Sequence, residues 1–519
     1  MVKKKREEIK QNLYLCGFKI KMERLYTMRR YTLLVIILLA SAASYAQGLK
    51  AFISHKAYCT NNMQPYIEFT FIIGGNTARY VPDKQGKYEA GVEIQVDMMQ
   101  SDSLVKQLHY ILGSDRFDDS LRNGKPDFAD IQNVPLPNGD YYLYFYMQDV
   151  NALPDSNGNI EKLSYIDHIS LNFPDDRITT SKISLYRSAS KATAGSLFAK
   201  YGYDLSPLYS NFVPESQYTL PFAIEIYNTQ KILGDKPFKA RCFIEQAESH
   251  LAANTNNILT IPCQPKDVVL VFNEFNVFKL PSGNYFAVIE LSDDRDSVFL
   301  VDKVFFQKSN PSVQLDLDDY TQTNVQGTFA ERDTNRKELI DHVRCLYPIS
   351  SLSERQFYDE RIKYVPTEQL QRFFYNFWLR RSPTNPEGAW LAYKKQVDDV
   401  ERMFGSVQVK GYLTDRGRVY LQYGKPNDVK DVPSDPVTLP YQIWQYYYLN
   451  NQSDVKFVFY DPVLTGKDYE LLHSTLYGEI SDPNWKMKLV RKMETQWDRY
   501  ENNPTDYWGN SMDDYWKYH

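Results

Sequence analysis

Charged residues and a glycine are concentrated at one bend late in the chain. Asp415 and Gly417 flank Arg416, a combination typical of a tight turn because Asp bonds nearby backbone and Gly tolerates a positive φ. The forked side chains of Arg416 and Arg418 suit carboxylates and phosphates, so the bend could bind an anion or a partner. Alternatively, Asp415 pairs with one of the two arginines and the bend is purely structural. The apolar–polar alternation of residues 419–423 predicts a strand directly after the turn.

No established catalytic or metal-binding motif occurs in the sequence. It contains neither His-Glu-x-x-His nor Cys-x-x-Cys, and it has no phosphate-binding loop, nucleophile elbow or dinucleotide fingerprint. We therefore predict no catalytic, cofactor-binding or metal-binding residue. A hydrolase that uses carboxylates is an alternative, because a carboxylate pair leaves no sequence signature. Its candidate acids are Glu360, Asp398, Asp399, Glu401, Asp415 and Asp461.

The cysteines leave one pairing open. Five cysteines are too few for a fold built on disulfides in a chain of 519 residues. Cys242 and Cys263 both stand at strand-like positions of one predicted domain. They form either a disulfide, which an oxidising compartment would permit, or two buried reduced thiols, because pairing cannot be read from spacing alone.

Two amphipathic helices are predicted before the bend. The first starts with Thr367 as its N-cap and ends at Arg380-Arg381-Ser382-Pro383, where cations and proline are typical of a helix end. Its apolar face repeats at steps of three and four and consists of Leu370, Phe373, Phe374, Phe377 and Trp378. The second helix is predicted from about residue 387 to 404. After the bend, residues 441–447 and 456–461 have the composition of strands.

Gly411-Tyr412-Leu413-Thr414-Asp415, together with these flanking elements, resembles the GWxTD domain family, which occurs in envelope proteins of Bacteroidota. In that family a helix ending in Phe-Trp-x-x-Arg-Asp-Pro, a second helix, the signature, a Trp-Tyr strand and a Phe-x-Phe strand follow one another, as they do over residues 325–480 here. The resemblance implies an α+β domain and no particular reaction. Its motif and interaction candidates are Trp378, Arg380, Arg381, Gly411, Tyr412, Thr414, Asp415, Arg416, Gly417 and Arg418.

The chain departs from the family pattern at two positions. Tyr412 stands where the family has Trp, which keeps an aromatic ring in place. Ser382 stands where the family has Asp, so a carboxylate is missing after the paired arginines. If that acid serves chemistry in relatives, this chain lacks it, and a catalytic role of the domain is less favoured.

The first 46 residues are typical of an export signal read from an upstream start. Met28-Arg29-Arg30 supplies a positive end, residues 33–40 form an apolar run, and Ser44-Tyr45-Ala46 offers a small-x-small cleavage site. The signal peptide is therefore predicted at residues 28–46. The apolar run is shorter than the about 20 residues that a membrane-spanning helix needs. We expect an exported protein, periplasmic or associated with the outer membrane, without a transmembrane span in the mature chain; an uncleaved anchor is the alternative.

Net charge restricts the partners that the chain attracts. Residues 1–46 hold ten Lys and Arg against three Asp and Glu, so removing their +7 takes the formal net charge from −5 to −12. An acidic chain does not attract nucleic acid through its overall field. We therefore expect no nucleic acid partner.

A repeated segment predicts two β-sandwiches before the family domain. Leu136-Pro137-Asn138-Gly139-Asp140-Tyr141 and Leu280-Pro281-Ser282-Gly283-Asn284-Tyr285 each lead into a strand. Leu-Pro-x-Gly-x-Tyr before a strand resembles the tyrosine corner of immunoglobulin-like sandwiches, in which the Tyr hydroxyl bonds the chain upstream. We predict all-β immunoglobulin-like sandwiches at residues 48–190 and 195–310, and one larger β-domain is the alternative.

The C-terminal segment, residues 483–519, is predicted to be a helix with an aromatic tail. The helix, residues 483–500, places Trp485, Leu489, Met493, Trp497 and Tyr500 close to one face, which packs on the preceding domain or docks on a partner. The tail is aromatic and acidic, and contiguous exposed apolar surface marks interaction sites. Its predicted docking residues are Trp508, Tyr515 and Trp516.

The sequence favours a multidomain, non-catalytic component of the cell envelope that acts through envelope protein partners and uses no cofactor. In this hypothesis the β-sandwiches are spacers or docking surfaces, and the α+β domain is the interaction unit. Two alternatives stay open: the carboxylate hydrolase, and glycan binding, for which 41 tyrosines offer stacking planes. A deep pocket of acids beside Asp415 would favour the hydrolase. An exposed row of Tyr and Trp on a sandwich face would favour glycan binding.

Overall fold

The structure is a computed structural model. It describes residues 48–118, 124–154, 158–253, 258–313, 323–435, 437–450, 452–466, 469–482, 484–490 and 516. The described residues form two compact units, one made of residues up to 55 with 67–171, the other of residues 56–66 with those from 172 onward. Strands dominate up to residue 308, and helices follow from residue 336 to 423. The signal peptide predicted at residues 28–46 lies outside the described residues.

The described residues up to 171 form nine strands: β1 (Ala51–Cys59), β2 (Pro65–Ile73), β3 (Val81–Pro82), β4 (Tyr88–Glu89), β5 (Gly91–Gln100), β6 (Ser103–Gly113), β7 (Phe128–Pro135), β8 (Gly139–Asp149) and β9 (Leu163–Leu171). One sheet has the order β1-β2-β7, a second has the order β6-β5-β8-β9, and β3 pairs with β4. The ring centroid of Phe69 on β2 lies 6.0 Å from that of Phe145 on β8. Apolar rings of the two larger sheets therefore meet in a shared core.

The second unit starts with a further β region. Its elements are β10 (Thr179–Thr180), β11 (Ser184–Lys191), β12 (Ala199–Lys200), β13 (Tyr203–Pro207), β14 (Phe212–Val213), β15 (Thr219–Tyr227), α1 (Thr229–Leu233), β16 (Phe238–Gln246), β17 (Leu259–Cys263), β18 (Val268–Asn276), β19 (Gly283–Ser292) and β20 (Val298–Lys308). One sheet has the order β10-β15-β11-β13-β12, with β18 also on β15, and the other has the order β14-β20-β19-β16-β17. Phe222 and Ile224 of the first sheet share one apolar cluster with Ile289 and Phe306 of the second. These two sheets are likewise layers around a common core.

The hydrogen bonds predicted for the two repeated tyrosines are confirmed. The Tyr141 hydroxyl donates to the carbonyl of Pro137 at 3.0 Å, and the Tyr285 hydroxyl donates to the carbonyl of Pro281 at 2.9 Å. A Cβ added at Gly283 would lie 3.3 Å from the ring of Tyr285. Because a larger residue at this position would crowd the ring, glycine leaves room for the tyrosine ring to fold back over the chain.

The boundary between the two β regions lies earlier than the sequence predicted. We expected it between residues 190 and 195, but β11 pairs with β15 through Ser184↔Ala223 and Leu185↔Phe222. The second unit already includes residue 172. Strand β11, which the predicted bounds placed in the first sandwich, therefore belongs to the second β region. Between the predicted end of the second sandwich at residue 310 and the predicted start of the family domain at residue 325 lie residues outside the described ranges.

The C-terminal half of the second unit combines helices with a four-stranded sheet. Its elements are α2 (Arg336–Arg344), α3 (Leu352–Glu360), α4 (Thr367–Arg381), α5 (Pro386–Phe404), α6 (Asp415–Tyr423), β21 (Asp428–Val432), β22 (Tyr441–Leu449), β23 (Gln452–Tyr460), β24 (Glu470–Ser474) and α7 (Trp485–Leu489). The sheet order is β21-β22-β23-β24. The helices predicted at 367–381 and 387–404 and the two strands after the bend are confirmed. Thr367 opens α4, but the N-cap position is Pro366.

The prediction of a turn and strand over residues 415–423 is wrong, because these residues form helix α6. Thr414 is its N-cap, and its side chain accepts a hydrogen bond from the Gly417 amide. Successive residues on a helix are rotated by about 100°, so Val419 and Leu421 point in nearly opposite directions. Leu421 joins the apolar cluster of the helices, and Val419 joins that of the sheet. A helix buried on two sides therefore produces the alternation that we interpreted as a strand.

The predicted C-terminal helix is shorter than expected within the described residues. Helix α7 ends at Leu489, and Val490 is extended and forms a bridge with Thr438. The rest of the segment predicted as helix, residues 491–500, lies outside the described residues.

Cys242 and Cys263 are free, buried thiols. Strands β16 and β17 pair Cys263 with Phe238 and Cys242 with Leu259, so the two cysteines are not opposite each other. Each sulfur instead faces a backbone carbonyl two residues before it, that of Ala240 or Ile261. The structure therefore has the reduced pair rather than the disulfide.

Candidate functional site: the corner formed by residues 411–423

Residues 411–413 form a single 3₁₀ turn that leads into α6. The Thr414 hydroxyl donates to the carbonyl of Gly411 at 2.7 Å and accepts from the amide of Gly417 at 3.1 Å. The Thr414 side chain thus closes the turn and caps the helix, which explains why threonine suits this position.

The two glycines of the motif let three backbone segments come together. A Cβ at Gly411 would lie 2.6 Å from the carbonyl oxygen of Val400 on α5. A Cβ at Gly417 would overlap the carbonyl oxygen of Gly411 and lie 2.8 Å from a methyl carbon of Val400. Real Cβ atoms do not approach backbone so closely, so both positions require glycine for space rather than for a positive φ. This contact fixes α6 against the end of α5.

Asp415 and Arg416 connect the start of α6 to the sheet. A carboxylate oxygen of Asp415 accepts the amide of Leu471 on β24 at 2.7 Å. Arg416 is buried, with its guanidinium 4.1 Å from the ring centroid of Tyr469 and 5.0 Å from that of Phe404. Cation–π contacts of this kind are strongest where water is excluded. Both charges of the motif therefore serve packing within the domain.

Arg418 forms a bidentate pair with Glu479. The two nitrogen–oxygen distances are both 2.8 Å, and Tyr423 donates to the same carboxylate at 2.7 Å. Burial lowers the pKa of Arg418, but the hydrogen bonds and charge of Glu479 outweigh it, so the pKa lies above its ordinary value. Burial and then Glu479 raise the pKa of Tyr423 well above its ordinary range. The expected pairing of Asp415 with an arginine is replaced by this pair.

Tyr412 and Trp378 lie in the apolar cluster of the helices rather than on the surface. Burial, followed by the nearby Cys345, raises the pKa of Tyr412 to about 12. The Trp378 ring packs 5.5 Å from Tyr393 and 5.8 Å from Trp390 between centroids. The aromatic residue that replaces the family's Trp at position 412 thus fills a core position.

The two arginines at the end of α4 have different surroundings. Arg381 is nearly buried and contacts Glu354 at 3.3 Å and the carbonyl of Ile349 at 3.0 Å. Glu354 also forms a capping box with Ser351 at the start of α3. Arg380 is exposed. The structure thus brings most candidates into two neighbouring cores, and Arg380 faces solvent.

Several residues of the site escaped the sequence analysis. Glu479, Tyr469 and Leu471 complete the contacts of Arg418, Arg416 and Asp415, but each is more than fifty residues away along the chain. No spacing rule connects residues that meet only through the fold of a sheet. The sequence around Glu479 contains no pattern that would indicate a pair with Arg418.

The β region and the helical domain of the second unit also contact each other. Phe305 on β20 stacks on Tyr477, with 6.4 Å between ring centroids. Glu248 is buried and accepts a hydrogen bond from Asn284 at 3.1 Å. Burial raises the pKa of Glu248, an effect that the nearby Arg355 opposes. A carboxyl group with raised proton affinity therefore lies in this contact region.

Of the predicted tail residues, Trp516 packs against the chain itself. Its ring lies 5.0 Å from Trp485 and 5.5 Å from His473 between centroids. The ammonium group of Lys456 donates to the Trp516 carbonyl at 2.6 Å. Trp508 and Tyr515 lie outside the described residues.

The connection between α5 and α6 carries exposed apolar side chains. Leu413 is 58% exposed, and Val407 is fully exposed. The turn around Val407 is closed by a hydrogen bond of 2.9 Å from the Ser406 amide to the Val409 carbonyl. We call Val407, Val409 and Leu413 the apolar knuckle.

Two further observations concern the described residues. Within the described ranges, no three His, Cys, Asp or Glu side chains are grouped so that they could hold a metal ion. None of the helices in these ranges has the length and hydrophobicity required to span a bilayer.

The helix-and-sheet part of the second unit contains the inward-bonded Gly-Tyr-x-Thr-Asp corner. Residues 332–489 match the family model of the GWxTD domain, so the chain contains a GWxTD domain in this range. The matched range begins seven residues later than the expected 325–480 and ends nine residues later, so it includes helix α7, which we had assigned to a separate segment.

Comparison with other proteins adds little beyond the family. No curated protein sequence matches the chain. Among solved structures, Escherichia coli α-2-macroglobulin activated by porcine elastase is similar over 51% of this chain and 22% of its own length, with 10% identity and a TM-score of 0.17. The BSP domain of a biofilm-associated protein is similar over 53% of this chain and 54% of its own length, with 10% identity and a TM-score of 0.14. The chain thus spans about a fifth and about half of these two proteins.

Proposed function

We propose that this chain is an exported, non-catalytic protein of the cell envelope whose GWxTD domain binds a protein partner. The observation that supports this most is the inward bonding of the motif. Asp415 holds the backbone of β24, Arg416 lies between two rings, and Arg418 is neutralised by Glu479. Side chains used in this way build a rigid corner and are not presented to a substrate. The export signal predicted in residues 28–46 supports the compartment.

The apolar knuckle is the proposed contact surface. The corner holds Leu413 and Val407 outward while the residues around them are fixed by hydrogen bonds. A partner protein with a complementary apolar side chain would gain roughly 25 cal/mol for each Å² of apolar surface removed from water. A rigid, pre-organised surface also loses little conformational entropy on binding.

We further propose that both β regions are immunoglobulin-like sandwiches that act as spacers. The bonds from Tyr141 to Pro137 and from Tyr285 to Pro281 support this, because a tyrosine corner is a hallmark of that fold.

The binding proposal is tested by co-purification from the native organism. An affinity-tagged full-length chain is expected to retain a protein partner after gentle cross-linking, and Leu413→Asp and Val407→Asp are expected to lose it. The matched control is Leu391→Asp, because Leu391 on α5 is 57% exposed and lies outside the apolar knuckle. Thermal unfolding of each variant checks that the domain remains folded.

Retention of the same partner by Leu413→Asp and Val407→Asp would contradict the proposed surface. A wild-type chain that retains no partner would contradict the binding function itself. Hydrolysis of an envelope polymer that is lost in Asp415→Asn, in a variant with unchanged stability, would favour the carboxylate hydrolase instead.

A further inference from the structure

The outer face of the four-stranded sheet in the first unit carries a row of tyrosines. Along β8 the side chains alternate, and Tyr141, Leu143 and Phe145 point into the core. The residues between them, Tyr142, Tyr144 and Tyr146, point outward and form what we call the tyrosine row. Tyr142 is 51% exposed and Tyr146 is 39% exposed, so both side chains are partly accessible, although the Tyr142 ring also contacts that of His168 at 5.3 Å between centroids. Outward positions of one strand are spaced by roughly 7 Å, because each residue rises about 3.4 Å.

A row of polar side chains runs beside the tyrosine row on the neighbouring strand β5. The strand register pairs Asp97 with Tyr144 and Gln95 with Tyr146. The Asp97 carboxylate accepts hydrogen bonds from Gln95 at 3.0 Å and from Gln107 of β6 at 2.7 Å. Glu93, two residues before Gln95, contacts His109 at 2.8 Å. We call Glu93, Gln95 and Asp97 the polar row.

We propose that this face binds a neutral glycan. A pyranose ring has an apolar C–H surface that stacks on an aromatic ring, and hydroxyl groups at its edge that donate to carboxylates and exchange hydrogen bonds with amides. The tyrosine row supplies the first kind of contact, and the polar row supplies the second at the adjacent strand. Asp97 retains acceptor capacity, because a carboxylate has about four lone-pair sites. The site lies outside the GWxTD domain and does not depend on the partner proposed for that domain.

The charges of the face favour a glycan over other polymers. Glu93 and Asp97 would repel the phosphates of a nucleic acid and the charges of an acidic polysaccharide. The core of a protein interface is depleted in charged residues, whereas here two carboxylates lie along the centre of the face. Both rows lie on the two central strands of the sheet, which has the order β6-β5-β8-β9. An edge-strand addition by a peptide would not cover them.

The test uses the purified full-length chain in two assays. Affinity electrophoresis through gels containing xylan, laminarin or mannan, and co-sedimentation with chitin and with cellulose, are expected to show binding to at least one of these polysaccharides. Tyr142→Ala is expected to raise the apparent Kd about tenfold, as the loss of one stacked ring does elsewhere. Asp97→Ala is expected to weaken binding to the same polysaccharide.

The matched control is Tyr447→Ala, which removes a tyrosine that is 62% exposed on the GWxTD domain and is expected to leave binding unchanged. The substituted side chains, Tyr142, Asp97 and Tyr447, are all at least partly exposed. Circular dichroism checks that each variant remains folded. Absence of binding to every polysaccharide, or equal binding by wild type and Tyr142→Ala, would overturn the proposal. A change of oligomeric state in Tyr142→Ala, measured by size-exclusion chromatography, would overturn it in favour of a protein interface.

Discussion

At the scale of single residues, Gly417 is the most constrained position of the motif. A methyl group there would overlap the backbone carbonyl of Gly411, which cannot move without shifting the turn. Alanine is favoured over glycine in a helix by about 1 kcal/mol, but this gain is smaller than the cost of the overlap. We expect Gly417→Ala to lower the free energy of unfolding by about 3 kcal/mol, measured by urea denaturation.

The control for this substitution is Gly113→Ala in β6, where an added Cβ meets no atom within 4 Å. Its effect should stay within about 1 kcal/mol. If Gly417→Ala is as mild as the control, the close approach of α6 to the turn is not a source of stability.

The pair of Arg418 and Glu479 should also be costly to break. The Glu479 side chain is 9% exposed, and neutralising it leaves the largely buried guanidinium of Arg418, which is 20% exposed, without its partner charge. We expect Glu479→Gln to destabilise the domain by about 3 kcal/mol, because an uncompensated buried charge is strongly unfavourable. The control is Asp399→Asn, which breaks a pair with Arg402 whose side chain is 76% exposed, and it should change stability by less than about 1 kcal/mol. Equal effects of the two substitutions would contradict the buried role of Arg418.

The contribution of Glu248 to the stability of the fold should change with pH in the direction opposite to that of most paired carboxylates. Burial raises its pKa above the ordinary value of 4.5. The folded state therefore binds this proton more tightly than the unfolded state, and stability is lost as pH rises from 4.5 through the folded pKa. Glu248→Gln removes the ionisation and can still accept the hydrogen bond from Asn284. We expect the variant to be more stable than wild type at pH 7.5 and equal to it near pH 4.

Urea unfolding of wild type and Glu248→Gln at both pH values measures this difference. The exposed Glu274→Gln serves as the control and should show no such pH-dependent gain. Destabilisation by Glu248→Gln at pH 7.5 would mean that the attraction of Arg355 outweighs the burial of the carboxylate.

At the scale of elements, helix α6 depends on its cap more than on its own length. It has only nine residues, too few to be stable alone in water. Thr414→Ala removes both the cap to Gly417 and the bond to Gly411, and should cost about 1–2 kcal/mol in the free energy of unfolding. Thr414→Ser keeps the hydroxyl and should restore most of the loss. A serine variant as unstable as the alanine variant would assign the effect to the lost methyl group.

The elements that the sequence predicted well are those whose burial is one-sided. Helices α4 and α5 each show a single apolar face, and the tyrosine corners repeat a local pattern whose hydrogen bond spans only four residues. Helix α6 was missed because it is buried on two sides, so that Val419 and Leu421 face different clusters. Strand β11 was assigned to the wrong β region because its local sequence does not indicate that it pairs with β15, more than thirty residues further along the chain. The partners of the motif, such as Glu479, depend on long-range contacts that no local pattern contains.

At the scale of the whole molecule, the family domain is narrower than the unit in which it lies. The family match begins at residue 332, whereas the second unit includes the β region from residue 172 and the hairpin tip formed by residues 56–66. Within this unit, the tip contributes Tyr58, whose hydroxyl lies 3.4 Å from that of Ser184, and Cys59, whose amide donates to the Tyr227 hydroxyl at 3.2 Å. The tip is therefore part of the packing of the second β region.

This placement predicts that a fragment starting at residue 172 is less stable than the same region in the intact chain. Without the hairpin tip, Tyr227 and Phe173 lose the apolar cover of Cys59, with which they form one cluster. We expect calorimetry to show the fragment 172–519 unfolding at a temperature lower by on the order of 5 °C. In the full chain, Tyr58→Ala should cause part of this shift because Tyr58 is fully buried, whereas the exposed Asn62→Ala should cause none. A fragment that unfolds at the temperature of the intact region would mean that the hairpin tip contributes no stability to the second unit. The chain could then be divided at residue 172 without destabilising the C-terminal part.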